Sequence, residues 1–398
     1  MFTHLFKLIW NKKKQNALLI MEMFISFIVM FAVLTMLVYS YKNYMQPAGF
    51  DHNDVWVINF TPPEKINETD SVAMFHDALK KTMFSMPQIK DISFAGVNVP
   101  YSMSTFNSAT SYGKHRNVMT NMYWAEETYG KVLNLQVIDG RWFNEADAVS
   151  KYTPVIINRI LKEELFGNEN AIGKVLGEQV IEKGTEENRY KVMGVVENSK
   201  DMGSYEAIEN GMYIKMDSNA LRRAGSMIVK VKAGTDATFE SKLYKTLSNA
   251  IGTSIEIEHL DKKLVSKNRV MLVPMIIAAV VAGFLIINVA LGLFGVLWYN
   301  INKRKGEIGL RRAVGASGND VSKQLIGEAL VLATISLILG TFFAVQFPLM
   351  NVFDLSANTY LVAMGLAIVL IYVLVIICAL YPGQQAAAIY PAVALHEE

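Results

Sequence analysis

The sequence predicts an α-helical membrane protein with four transmembrane helices and a large mixed α+β extracytoplasmic domain inserted between the first and second helices. Three observations predict it. Four apolar stretches are each long enough to cross a bilayer, lysine and arginine gather at some of their ends and avoid others, and the long segment 40–269 is polar and alternates strand and helix periodicity. The composition agrees: 52% of residues are hydrophobic and 19% charged, too apolar for an ordinary soluble globule and too charged for a purely membrane-embedded one.

A helix crosses the hydrocarbon core in about 20 residues. The stretches 17–39, 270–299, 325–347 and 360–381 meet that length. As helices they close their own backbone hydrogen bonds, as lipid requires. The remaining segments are 1–16, 40–269, the loop 300–324, the short loop 348–359 and the tail 382–398. Orientation follows from the basic residues, which stay on the cytoplasmic side of short loops. Lys7, Lys12, Lys13 and Lys14 precede the first span, and Lys303, Arg304, Lys305, Arg311, Arg312 and Lys323 follow the second, whereas 348–359 carries only Asp354. Both termini are therefore expected inside and 40–269 outside. A signal peptide is the competing reading of the first span, but Glu22 lies within it and Tyr41-Lys42-Asn43-Tyr44 replaces a small-residue cleavage site. Phe2, Leu5, Phe6, Ile9 and Trp10 recur at helical spacing, fitting either an interfacial amphipathic helix or a plain basic flank.

In the outside segment, Val55–Ile58, Ile89–Val97, Pro154–Asn158, Tyr190–Val196, Gly211–Lys215, Met227–Val231 and Ile255–Ile257 read as strands. Ser71–Met86 and Thr238–Ala250 read as helices. Asp261–Asn268 runs into the second span without a breaker, which predicts a stalk continuous with it.

Several functions are excluded. The net charge is +2 with no broad basic face, so nucleic acid is not an expected partner. The lone Cys378 allows no disulfide within one chain and no CxxC motif. His4, His52, His76, His115, His259 and His396 are scattered without a zinc-binding pattern, so no metal ligands, catalytic residues or cofactor-binding residues are assigned. Gly167 to Gly173-Lys174 is one residue too long for a phosphate-binding loop, and Val175 stands where Ser or Thr should meet Mg²⁺. Glu22, Asn288 and Glu328 are intramembrane polar residues. Such positions are functional candidates by default. Packing or inter-helix hydrogen bonding is the plainer role for Glu22 and Asn288, and snorkelling or pairing with the basic loop for Glu328.

Gly140-Arg141-Trp142-Phe143, Pro154–Asn158, Leu165-Phe166-Gly167, Ala171-Ile172-Gly173-Lys174 and Tyr190–Val196, in that order and spacing, resemble the periplasmic core domain of MacB-like permeases. The loop reads Arg304, Glu307-Ile308-Gly309, Arg312-Ala313 and Gly315-Ala316. It resembles the R-x-x-E-I-G-x-x-R-A-x-G-A coupling segment of MacB- and FtsX-type ABC transporter permeases. On a helix Ile308, Arg311 and Arg312 share a face, an apolar anchor beside guanidiniums suited to a docking partner, and Gly315 ends the helix. Lys303 and Lys305 serve equally well as topological charges. Pro382 to Ala386 and Pro391 to Leu395 are similar to the family's ending, except that Gln384 and Gln385 stand where arginine is usual.

The resemblance implies a permease subunit of the bacterial inner membrane, its large domain periplasmic, with ATPase-coupling residues Arg304, Glu307, Ile308, Arg311, Arg312 and Gly315. It implies no cofactor in this chain, ATP and Mg²⁺ being held by a separate ABC ATPase subunit. It further implies pairing with a second copy or a homologous permease, and mechanotransmission for export of a peptide, lipid or drug-like substrate with a periplasmic adaptor and an outer-membrane channel. The alternatives are an FtsX-like regulator of a periplasmic cell-wall hydrolase and a non-transport surface receptor, which has no need of the coupling motif.

Overall fold

The computed structural model of the chain describes residues 13–63, 69–96, 98–177 and 189–388. The N-terminal periodicity of Phe2 to Trp10 and the Pro391–Leu395 ending lie outside the described residues. The chain divides into two compact units, one formed by Met1–Lys42 with Leu272–Glu398 and the other by Asn43–Met271.

In the first unit, four helices are long and apolar enough to cross a membrane. They belong to α1 (Lys13–Tyr44), α7 (Leu260–Lys303), α9 (Gly318–Ala344) and α10 (Ala357–Ala387), numbered in chain order with those introduced below. Each contributes one stripe to a shared core at four-residue spacing, the period that stacks side chains on a single helix face. Leu19, Met23, Phe27 and Phe31 meet Val289, Leu293 and Leu297, with Ala329, Ala333 and Leu337, and Ala363, Ala367, Ile371, Val375 and Ala379. The alanines let α10 approach its neighbours closely. Gly340 does the same for α9, where an added Cβ would run into the Phe27 ring.

The helices overrun the apolar stretches that announce them. The expected stalk is real, since α7 runs unbroken from Leu260 past Pro274 to Lys303. The fourth helix runs past the expected end of its span at Tyr381, continuing through Pro382 and Gly383 to Ala387. Packing explains it: an added Cβ at Gly383 would lie 2.6 Å from Ser322 Oγ, and Ala386 is buried with Ile301, Ile308, Val321 and Leu325. The third helix, Gly318–Ala344, is followed after one residue by a helical turn at Gln346–Leu349, so the candidate span Gly318–Leu349 takes in the expected 325–347.

The second unit holds an eleven-stranded sheet in the order β11-β1-β10-β2-β4-β9-β6-β8-β5, with β3 on β4 and β7 on β8. The strands are β1 (Val55–Phe60), β2 (Ile89–Ala95), β3 (Asn107–Tyr112), β4 (His115–Ala125), β5 (Val137–Gly140), β6 (Thr153–Asn158), β7 (Val175–Leu176), β8 (Tyr190–Val196), β9 (Gly211–Lys215), β10 (Ser226–Val231) and β11 (Ile255–His259). The helices are α2 (Thr69–Phe84), α3 (Tyr129–Val132), α4 (Arg159–Phe166), α5 (Ser218–Arg222) and α6 (Ala237–Ile251). Every strand expected from sequence is present, while β3, β4, β5, β7 and the short helices α3, α4 and α5 are additions.

Alternation along the strands sorts the cores, because successive side chains point to opposite faces. Trp56, Ile58 and Phe60 of β1 pack with Met227, Val229 and Val231 under α2 and α6. Val155 and Ile157 of β6 pack with Met212 and Ile214 under α4. The opposite faces of both halves, including Val55, Val57, Ile156, Tyr213 and Ile228, share one further cluster with Tyr129 and Leu260. Among the described residues the halves join through β2 and β4 at the pair Ala95↔Ala125, with the N–H of Gly96 donating to Trp124 O at 3.0 Å, and side-chain packing on the shared face adds to that short junction.

Candidate functional site

The basic loop between α7 and α9 folds as a nine-residue helix, α8 (Lys305–Ala313). Gly315 follows with φ +108, a left-handed conformation that residues with a Cβ rarely adopt, and the N–H of Ala316 returns to Arg311 O at 3.0 Å. Gly315 thus sits where the spacing placed it, just past the helix end. The next helix starts at once, with Ser317 as its cap in a reciprocal box with Asp320.

The guanidinium of Arg304 sits at the centre of an ion-pair network. Its Nε donates to Glu307 Oε2 at 2.9 Å, and its Nη1 to both oxygens of Glu328, at 3.2 and 3.1 Å. The hydrogen bonds that Arg304 donates to Glu307, then the charges of Glu328 and Glu307, hold Arg304 protonated above its ordinary value against the cost of burial. Arg311 donates to Glu307 Oε1 at 2.5 Å and to Gln324 Oε1 at 2.8 Å, and Gln324 donates onward to Glu328 at 3.1 Å. Arg312 donates to the carbonyl of Ala387 at the end of α10. Six polar side chains, those of Arg304, Glu307, Arg311, Arg312, Gln324 and Glu328, and one backbone carbonyl therefore bind α8 and its N-cap to α9 and α10.

That arrangement corrects part of the sequence expectation. Ile308 was expected as an outward apolar anchor; it is 6% exposed and packs with Ile301, Val321, Leu325 and Ala386. It fastens α8 to its own chain because the face it shares with Arg312 is turned onto α9 and α10. The outward apolar residues are instead Leu310, 56% exposed, and Val314, 83% exposed, four positions apart. The i, i+4 spacing of two apolar residues was readable in the sequence, but which face points inward depends on the end of α10, where Ala387 lies 75 residues beyond Arg312.

The intramembrane candidates separate. Glu328 pairs with Arg304. The carboxylate of Glu22 lies against Gly292 of α7, where an added Cβ would come within 2.7 Å of Oε2. Asn288 Nδ2 donates to Phe284 O one turn back at 2.8 Å, a bond within its own helix, where packing or an inter-helix bond was the expectation. Among the described residues no group of three His, Cys, Asp or Glu could hold a metal ion.

The MacB-like periplasmic core domain family matches residues 23–243, and the FtsX-like permease C-terminal family matches residues 275–391. Among curated proteins, the macrolide export ATP-binding/permease protein MacB of Campylobacter jejuni subsp. jejuni is 25% identical over 283 residues, covering 66% of this chain and 42% of that protein. MacB of Chlorobium luteolum is 25% identical over 333 residues, 79% of this chain and 48% of its own length. The chain spans about a third to a half of the length of the curated relatives it matches. The crystal structure of the periplasmic region of MacB from Actinobacillus actinomycetemcomitans aligns with 56% of this chain and 95% of its own, at 20% identity and a TM-score of 0.37. The first family match alone takes in more than half of the residues, and the coupling segment around α8 falls inside the second: the chain belongs to the MacB/FtsX-like ABC transporter permeases.

Proposed function

We propose that this chain is the membrane-spanning permease of a MacB-type exporter in a bacterial inner membrane, with both termini cytoplasmic, the sheet domain periplasmic, and ATP with Mg²⁺ held by an ABC ATPase partner chain. Its four apolar helices span the bilayer, and two copies, or this chain and a homologue, assemble with the ATPase. The permease relays the ATPase cycle to the periplasmic domain as mechanical movement, driving export of a peptide, lipid or drug-like substrate with an adaptor and outer-membrane channel. Relatives named for macrolide export and for pyoverdine export favour export over control of a cell-wall hydrolase.

The observation that carries the reading is the outer face of α8. Leu310 and Val314 project from a short helix that ion pairs hold rigidly on the spans, so a push on them moves α9 and α10. A helix that lays apolar side chains into a partner's groove is a recurring mode of recognition. Arg304, Glu307, Ile308, Arg311 and Arg312 serve docking by holding that helix. The test is co-purification of the detergent-solubilised chain with candidate ATPases, comparing wild type with Leu310→Asp plus Val314→Asp. Stoichiometric ATPase with wild type and at least a tenfold loss, about 1.4 kcal/mol, in the variant is expected. Undiminished recovery with the variant would remove α8 as the docking element, and no ATPase with either would favour the receptor reading.

A further inference from the structure

The connection between α9 and α10 turns large apolar side chains away from the protein. After α9, a helical turn at Gln346–Leu349 and a tight turn at Val352–Asp354 lead into α10. Phe347 and Leu355 pack against the shared helix core. Leu349, Met350 and Phe353 do the opposite, being 73%, 68% and 79% exposed. The polar side chains of the segment are the ones engaged within the chain. Gln346 Nε2 donates to Phe342 O at 3.3 Å, Asn351 Nδ2 to Asp354 Oδ1 at 3.1 Å, and the hydroxyls of Ser356 and Thr359 share a bond of 2.9 Å. Exposed apolar groups gathered in this way mark an interaction surface.

The exposure is imposed by the backbone. Phe353 has φ +59, between Asn351 at +48 and Asp354 at +51. Asparagine and aspartate tolerate this left-handed region, whereas a bulky side chain there is an outlier. The turn is held by the N–H of Asp354, which donates to Asn351 O at 3.2 Å, and by the hydroxyl of Tyr360, which donates to Val352 O. Tyr360 is itself buried, its ring centroid 6.2 Å from that of Phe31 and 6.3 Å from that of Phe347. Strained residues persist only where their surroundings over-determine them, and they cluster at functional sites. Here the strain fixes an aromatic side chain on the outside of the protein.

The place of the segment between two apolar helices points to what covers it. α9 has 27 residues, a length of about 40 Å at 1.5 Å each, which carries the segment to the membrane face opposite α8. On either side of it the outward residues are again apolar, Phe342 and Phe343 on α9 and Leu361 and Val362 on α10, all 44 to 62% exposed. Between Lys323 and the end of α10 the sequence has no lysine or arginine. We propose that segment 346–355 is a lipid-seated wedge: Leu349, Met350 and Phe353 enter the boundary between headgroups and acyl chains of the leaflet opposite α8, with Asn351 and Asp354 toward water. Interfacial segments bury their apolar side chains about 5–10 Å into that boundary. The wedge moors the ends of α9 and α10 in one leaflet, so a movement of these helices along the bilayer normal displaces lipid. This inference rests on the reading of the four apolar helices as spans and adds a lipid contact to it.

Spin-label spectroscopy of the full-length chain in vesicles of phosphatidylethanolamine and phosphatidylglycerol tests it. In a Cys378→Ser background, which removes the native thiol, labels are attached at Met350→Cys or Phe353→Cys. Two comparators calibrate them: Leu291→Cys, on the outward face of α7, and Lys114→Cys, in the exposed turn between β3 and β4. Collision with oxygen, which dissolves in hydrocarbon, is compared with collision with a polar nickel chelate, which does not. Labels at 350 and 353 are expected to favour oxygen at least about fivefold more than the label at 114, approaching the label at 291. A water-like ratio at 350 and 353 beside a lipid-like ratio at 291 would overturn the wedge and leave the spans standing. A water-like ratio at 291 would overturn the span reading and the wedge with it. Shielding of 350 and 353 from both reagents would show protein covering them and would overturn the choice of lipid. Met350 has φ −91, a conformation that cysteine adopts freely, so its label decides the matter alone should Phe353→Cys fail to fold.

Discussion

Arg304 and Glu328 are 24 positions apart, and their side chains are only 13% and 16% exposed. Removing one partner of such a pair costs more than removing both, because the survivor keeps its desolvation penalty without its counter-charge. Arg304→Met is expected to destabilise the chain by about 2 kcal/mol, and adding Glu328→Met to recover about half of that. Melting of the three variants in detergent checks this; strictly additive losses would show that the pair is not coupled. His76 carries a titration of its own. Burial lowers it to about 4, outweighing the Val72 carbonyl that Nδ1 meets at 3.0 Å, with Lys80 adding to the fall and Asp77 opposing it. The folded state then binds the proton less readily than the unfolded chain does. Stability from this site is present above about 6.5 and is lost as pH falls toward about 4, by about 3 kcal/mol in all. His76→Leu should flatten that part of the pH profile of the sheet domain's melting, and an unchanged slope would contradict it. Sequence reading correctly named Glu328 and the basic loop as possible partners from charge and depth alone.

At the scale of the element, legibility followed periodicity. The spans, the continuous stalk and the seven strands rich in Val and Ile all carried a strong local pattern. The β3–β4 hairpin did not: Asn107 to Tyr112 has polar or small residues in succession and buries little beyond Thr110, so alternation had nothing to act on. The continuation of α10 through Pro382 defeated a local rule for a nonlocal reason, the contacts of Gly383 and Ala386 with neighbouring helices. The same nonlocal packing turned Ile308 inward. Helix contacts of this kind tolerate added volume poorly. Gly340→Leu, which forces a side chain into Phe27, is expected to cost about 1–3 kcal/mol and to lower the melting temperature in detergent. Gly283→Leu, with open space around its Cβ position, serves as the control and should change little.

Over the whole molecule the two units are distinct in chemistry. One is a set of helices with a thin shared stripe and apolar outer faces, the other a sheet with three packed clusters of its own. The segment 43–271 expressed alone is therefore expected to fold in water, and a cooperative melt followed by circular dichroism checks this. A noncooperative trace would mean that the sheet needs the helices. The sheet order was beyond sequence reading, since it brings strands together from opposite ends of the domain. That order governs biogenesis. Trp56 of β1 lies opposite His259 of β11 and Val229 of β10, so the strand made first has no neighbour in the sheet until nearly the whole domain has been synthesised. Such distant pairing folds slowly and leaves an apolar strand edge open meanwhile. Any chain interrupted before about residue 230 displays Val55 to Phe60 unpaired, an invitation to chaperones and proteases as a nascent permease emerges.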